Sequence, residues 1–173
     1  MKTLSKIILL IIAAVVVSCG GNDFKTFTDH ENGFKIDYPA DWDTINLDAR
    51  MAFMAREEFV DSTDMFGEGF SVSVFDNQGI SLQSIVDENV KMTNLYFDTP
   101  EIKQNKFTTE KGIDCIEIDV TYETSGLNLN NTAVFLTSEN LLYTITMSTQ
   151  VEQKDAYDAT FDAIINSFDW IEE

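Results

Sequence analysis

Residues 115–123 alternate strictly: Ile116, Ile118, Val120 and Tyr122 fall on one side, and Cys115, Glu117, Asp119, Thr121 and Glu123 on the other. Successive side chains of a strand point to opposite faces, so an extended chain gathers the aliphatic set onto one surface. A strand of this kind belongs in an antiparallel sheet with one face covered. Residues 131–137 and 141–148 continue the pattern, and Ser138-Glu139-Asn140 between them fits a meander of hairpins.

The same period recurs earlier. Residues 24–29 and 34–38 read as two strands joined by His30-Glu31-Asn32-Gly33, in which Asn-Gly is a strong turn signal. Pro39 ends the second strand because it has no N–H to give to a ladder. Trp42 is then expected to anchor the chain over the sheet edge. A further strand is expected over 51–59. After an acidic loop over 61–69, residues 70–75 alternate again, with Phe70, Val72 and Val74 opposite Ser71 and Ser73.

Two segments change period. Ser81 is a natural N-cap for a helix running to about Tyr96, with Leu82, Ile85, Val86 and Val90 along one side and a less regular later half. Thr149-Gln150-Val151-Glu152 has the form of a capping box. The helix it would open carries Tyr157, Phe161, Ile164, Ile165 and Phe168 at helical spacing, with Asp155, Asp158 and Asp162 outside the stripe. The expected class is α+β, an antiparallel β-sheet sandwiched by α-helices.

Two stretches carry a resemblance. Gly33-Phe34-Lys35-Ile36-Asp37-Tyr38-Pro39-Ala40-Asp41-Trp42 resembles the opening of the PsbP-like family, and Leu142-Tyr143-Thr144-Ile145, Phe161 and Ile165-Asn166-Ser167-Phe168 resemble its closing strand and helix. That family includes the extrinsic PsbP protein of the oxygen-evolving complex, the Ran-binding Mog protein and bacterial DcrB-type lipoproteins. The resemblance implies an α/β/α sandwich over residues 24–173. It implies no photosynthetic role: no manganese, calcium or chloride motif is present, and only a short tether precedes the first strand.

The N-terminus suggests how the domain is held. Lys2 and Lys6 precede an uncharged, wholly apolar run over residues 7–17. At about 1.5 Å per residue this run covers roughly half of a ~30 Å hydrocarbon core, a length that suits a signal peptide better than a membrane span. Val16-Val17-Ser18-Cys19 then resembles the lipobox of bacterial lipoproteins, which implies cleavage before Cys19 and diacylglycerol on its sulfur. The expected organisation is a signal peptide over 1–18, a lipidated tether over 19–23 and the domain over 24–173. Gly20, in place of an Asp that retains many proteobacterial lipoproteins at the inner membrane, points to the outer membrane of a Gram-negative envelope.

Charge and composition exclude several partners. The chain carries 30 acidic and 11 basic residues, net −19, and loss of Lys2 and Lys6 with the signal brings this to −21. Nucleic acid is not an expected partner, because phosphate recognition requires clustered Lys and Arg. The acidic balance fits a solvated surface, a cation-collecting surface or attraction to a basic partner. With Cys19 lipidated, Cys115 has no partner for an intramolecular disulfide.

No catalytic signature emerges. His30, the single histidine, lies in an expected turn, and one histidine cannot supply a two-histidine zinc site. Cys115 has Glu117 and Asp119 on its strand face, which disfavour an activated thiolate. No Gly-x-Ser-x-Gly elbow, Gly-rich phosphate loop or paired-cysteine motif occurs. Asp61, Asp64 and Glu68 are weak calcium candidates in a loop that fails EF-hand spacing, so a solvated loop is expected there. Met51, Phe53, Met54, Met65 and Phe66 are either core residues or, where exposed together, a partner surface. The expected function is non-enzymatic and needs no cofactor: an envelope lipoprotein, attached to the membrane through lipid on Cys19, that binds or stabilises another envelope protein. A small-ligand or cation-binding lipoprotein is the alternative, and an unrecognised hydrolase ranks third.

Overall fold

A computed structural model describes residues 23–45, 51–58 and 66–171. The chain runs β1 (Phe24–Asp29), β2 (Phe34–Pro39), β3 (Asp43–Thr44), β4 (Met51–Arg56), β5 (Gly69–Asp76), α1 (Leu82–Tyr96), β6 (Glu101–Thr108), β7 (Asp114–Thr124), β8 (Leu127–Ser138), β9 (Leu141–Gln150), α2 (Lys154–Ser167) and β10 (Asp169–Trp170). Seven strands form one antiparallel sheet in the order β3-β4-β5-β9-β8-β7-β6, and β1, β2 and β10 form a second, small sheet. The α+β class read from the alternation is the class observed.

Local chemistry explains the connections. Ser125 and Gly126 both have positive φ (51° and 79°), the geometry of a two-residue type I′ turn, and Thr124 pairs with Leu127 across it. In the β1–β2 turn, Asp29 Oδ1 accepts the backbone N–H groups of Glu31 and Asn32, and Gly33 takes φ +70°. Ser81 caps α1 as expected, its hydroxyl accepting from Ser84 N at 3.2 Å.

Both faces of the large sheet carry packed elements, as the sandwich expectation has it, and β7 keeps its alternation, with Ile116, Ile118 and Val120 buried and Glu117, Asp119 and Thr121 half-buried between and beside them. On one face α1 lays Val86, wholly buried, over Ile116, Ile118, Val120, Phe135 and Leu142. On the other, α2 and the small sheet close over Phe70, Val72, Val134, Ile145 and Met147. That second core is rich in rings: Phe34 stacks on Phe168 at 5.5 Å, and Tyr143 meets both edge-on at 5.8 and 5.7 Å. Burying aromatic rings at this density supplies both apolar area and directional contacts.

Four expectations need correction. The capping box does not form: Thr149 is a buried residue of β9, its hydroxyl donates to the Gln150 carbonyl, and a 3-10 turn over Val151–Gln153 precedes α2. Trp42 lies in the core between Phe70, Tyr157 and Phe161, not over an edge. The strand expected over 51–59 ends at Arg56, with Phe59 outside the described residues. Strand β6 has no counterpart among the elements read from the sequence. Its segment, EIKQNKFT, is largely exposed, as suits an edge strand whose lysines discourage further pairing.

Candidate functional site

The face of the large sheet that carries α1 is only partly covered by it. The helix packs on β7 and β8. Its apolar stripe runs Leu82, Ile85, Val86, Val90 and then gives way to Asn89 and Thr93. Where the stripe fails, the helix leaves a cavity of about 180 Å³ against the sheet. Ile118, Val120 and Phe135 form its apolar side, and Phe97 and Tyr122, which also line it, meet in a tilted contact with ring centroids 4.0 Å apart. The residue after the helix thus pins it to the sheet, with Phe97 N–H bonded to Thr93 O at 3.0 Å.

Beyond the helix the exposed part of this face is rich in hydroxyls. The same period-2 rule that buries Phe70 and Val72 places Ser71 and Ser73 on this side, beside Thr146 and Thr144 of β9 in the ladder. A second cavity of about 300 Å³ lies here, lined by Met54, Arg56, Phe66, Ser71, Thr146 and Ser148 among others. Thr146 lines both cavities, so they are neighbours along this face, referred to together as the groove. Gly69 lies at its end, where a Cβ would stand 2.6 Å from the Ala55 carbonyl oxygen and inside van der Waals contact with Arg56.

One polar atom in the groove is unmatched. Asn131 Nδ2 donates to the Tyr122 hydroxyl at 3.0 Å, but Asn131 Oδ1 is buried with no hydrogen-bond partner among the described residues. Burial raises the Tyr122 hydroxyl pKa above its ordinary value, and the bond from Asn131 partly offsets this.

The opposite face carries a polar cluster of another kind. Lys154 donates to Asp119 Oδ2 at 2.6 Å and to Asn130 Oδ1 at 3.0 Å, and Asn130 donates to Asp119 Oδ1 at 2.9 Å. Burial acts to raise the Asp119 carboxyl, but bonds from Lys154 and Asn130, the Lys154 charge and a bond from Thr132 outweigh it and hold the pKa below the usual value. Glu117 alongside is raised by burial and by Asp119, with Lys154 opposing and Asp162 adding to the rise. No group of three or more His, Cys, Asp or Glu side chains among the described residues is placed to hold a metal.

The candidates named from sequence fall in separate places. Cys19, Asp61, Asp64 and Met65 lie outside the described residues. Glu68 is not in a solvated loop: it is 6% exposed, and its Oε1 accepts Gln150 N–H at 3.2 Å, so its carboxylate serves the end of β9. Phe53 is a core residue stacked on Phe27 at 4.1 Å, which removes it from any partner surface. Met51 is exposed, whereas Met54 and Phe66 are half-buried in the groove. Of the five, the structure brings Met54 and Phe66 together in the groove and takes Phe53 away into the core. His30 is exposed in the β1–β2 turn. Cys115 is buried, and burial, with the Asp114 charge adding, pushes its thiol up to about 11. Asp114 takes the role that Glu117 and Asp119 were expected to play.

Sequence reasoning missed the exposed pair at the end of α1. Leu95 and Tyr96 are 70% and 76% exposed, consecutive at the end of the helix, directly before the half-buried Phe97. The irregular later half of the helix was the available signal, because two large apolar residues there fall off the core-facing stripe.

Known folds set this geometry in context. The domain resembles the solution structure of cyanobacterial PsbP (CyanoP) from Synechocystis sp. PCC 6803, with TM-score 0.65 and 14% identity over 88% of this chain and 95% of that one. It is similar to LpqN of Mycobacterium tuberculosis, a protein involved in cell envelope biogenesis, with TM-score 0.60 and 10% identity over 87% of this chain and 91% of that one. It also resembles a Bacteroides thetaiotaomicron protein, with TM-score 0.59 and 14% identity, covering 86% of this chain but 49% of that longer one. No curated protein matches the sequence. At such identities these likenesses speak for the fold alone. No helix among the described residues is long and apolar enough to cross a membrane. The sequence model of the PsbP-like protein family matches residues 15–170, taking in both signature segments, the paired cores and the groove: the chain belongs to the PsbP-like family.

Proposed function

We propose that this chain is a non-enzymatic envelope lipoprotein, held at a membrane by lipid on Cys19, whose PsbP-like domain docks another envelope protein through the end of α1. The observation that carries the docking surface is the Leu95–Tyr96 pair, exposed at 70% and 76% while the neighbouring Phe97 is engaged by Tyr122. Scattered single apolar residues on a surface are ordinary, but two consecutive large ones at a helix end are the kind of anchor that interface cores use. The envelope-biogenesis neighbour LpqN supports an envelope setting for the fold, and the resemblance of residues 16–19 to a lipobox supports the anchor. The buried Cys115, with its thiol pushed up to about 11, is a poor nucleophile and fits a binding role better than a catalytic one. The test is photo-crosslinking in cells from position 96: a discrete adduct that Leu95→Glu abolishes supports docking at this helix end, and absence of any such adduct overturns it.

A further inference from the structure

We propose that the end of α1 with the two residues after it, residues 91–98, is a latch that unwinds from the sheet as one unit while the rest of the domain stays folded, so that the surface carrying Leu95 and Tyr96 has a latched and an unlatched form. The opening stands on the packing alone, and its bearing on a partner rests on the docking reading above. Its first support is where the apolar anchorage stops. Leu82, Ile85, Val86 and Val90 join the core on this face of the sheet, and no residue of the helix beyond Val90 does. Asn89 and Thr93 line a cavity of about 180 Å³ at this point. A helix in a folded protein draws most of its stability from its packed apolar face, so the segment past Val90 is the part least held.

The second support is the bonding. Thr93 Oγ1 donates to Asn89 O at 2.9 Å, Asn94 Nδ2 to Val90 O at 2.8 Å, and Lys91 pairs with Glu88 at 3.0 Å. All three bonds lie within the helix, and among the described residues these side chains make none to a strand. The segment is also a weak helix by itself. Thr93 and Asn94 are poor helix formers, the last turn has no basic residue, and Asp98 puts a negative charge at the negative end of the helix dipole.

The third support is that the ring contact closing the latch works against strain. Phe97 meets Tyr122 with ring centroids 4.0 Å apart, and Glu101 then enters the ladder opposite Thr121, the neighbour of Tyr122 on β7. The link between Phe97 and Glu101 is therefore fixed at both ends to adjacent residues of one strand. Within it Thr99, exposed, takes φ +47° and is followed by Pro100. A β-branched residue seldom adopts that left-handed region, and the residue before a proline is restricted already. Such a conformation persists only while its surroundings impose it. Release of Phe97 frees one end of the link and lets Thr99 relax, so the strain favours opening and the ring contact favours closure. Unlatched, Leu95, Tyr96 and Phe97 become three consecutive exposed apolar residues.

Amide hydrogen exchange of the full chain in detergent micelles, read by NMR at low denaturant concentrations, is the test. The amides of residues 92–97 are expected to share one opening that is insensitive to denaturant, while those around Val86 and in α2 exchange more slowly. Phe97→Ala is expected to speed exchange at residues 92–96 about tenfold and to leave α2 unchanged, because the ring contact is lost. Thr99→Asn is expected to slow it about threefold, because Asn accepts a left-handed φ more readily than Thr. Should Phe97→Ala fail to fold, Thr99→Asn and the denaturant dependence of the unaltered chain decide. The purified chain is measured with no partner present, so the result stands whether or not a partner docks at Leu95 and Tyr96. Protection that declines gradually toward residue 97, as in ordinary fraying, overturns the proposal. So does exchange of the whole helix with global unfolding, a folded Phe97→Ala without acceleration, or Thr99→Asn without slowing.

Discussion

The backbone N–H of Asp37 donates to Ser167 Oγ at 2.8 Å, joining residues 130 positions apart and tying the two family signature segments directly to each other. Ser167 in turn donates to Ile164 O at 2.6 Å, so one hydroxyl both closes the end of α2 and holds β2 against it. Phe34 and Phe168, close to this bond in the sequence, are stacked in the core. The signatures are thus one structural unit, built from core packing and a single long-range hydrogen bond.

Ser167→Ala is expected to lower stability by about 1–2 kcal/mol, because it strands the Asp37 N–H and removes a bond at the helix end. Urea unfolding followed by circular dichroism measures this as a lower midpoint at unchanged slope.

Gly69→Ala is expected to cost more, about 1–3 kcal/mol or above, because the new methyl meets the β4 backbone, which cannot move aside as a flexible side chain would. The strain lies between β4 and β5, beside the groove. A thermal melt gives the loss, and amide shifts of Ala55, Arg56 and Ser148 locate it.

Stability is expected to fall as pH rises from about 9 to about 11. The unfolded Cys115 thiol ionises near 9.0, whereas in the fold burial, with Asp114 adding, delays ionisation to about 11. The unfolded state therefore releases its proton first, and the stability present below pH 9 is lost through that window. Tyr122 and Tyr143 are also raised from 10.0, in both cases chiefly by burial, and add losses of the same sign as pH rises above that value. The specific expectation is a difference: melting temperature falls less steeply between pH 9 and 11 in Cys115→Ala than in the parent protein.

Metabolic labelling with a radioactive fatty acid tests the anchor. The parent chain is expected to incorporate label and Cys19→Ala to incorporate none, with the variant released from the membrane fraction. Stable attachment requires two acyl chains, each buried methylene being worth about 0.8 kcal/mol. Undiminished labelling of Cys19→Ala contradicts lipidation at this residue.

Much of the fold is legible in the sequence because burial largely follows period 2 in β5, β7 and β9 and period 3.6 in α1 and α2. The misses share a cause. Strand β6 lies at an edge, where pairing on one side suffices and side chains stay polar, so EIKQNKFT shows no apolar face. Thr149 and Glu152 have the spelling of a capping box, but the hydroxyl of Thr149 is engaged at the end of β9 instead. The division into two sheets is invisible locally, since β1 and β2 pair with each other in the same way whichever sheet they join.

The candidate site was less legible than the fold. Its groove is made of residues that alternate with core residues: Ser71 and Ser73 between Phe70, Val72 and Val74, or Thr144 and Thr146 between Tyr143, Ile145 and Met147. Period alone places them opposite the aromatic core, but how far α1 reaches across them depends on packing between distant segments. The exposure of Leu95 and Tyr96 depends likewise on where Phe97 finds its partner in Tyr122.

The most direct test of the account places a photo-crosslinking amino acid at position 96 of the lipidated chain in living cells, with position 111 in the exposed β6–β7 turn as control. One discrete envelope-protein adduct is expected from position 96, lost with Leu95→Glu and with Cys19→Ala, and absent from position 111. The same adducts from both positions, or an adduct at 96 that persists in Leu95→Glu, contradict a membrane-anchored domain that docks its partner through the end of α1.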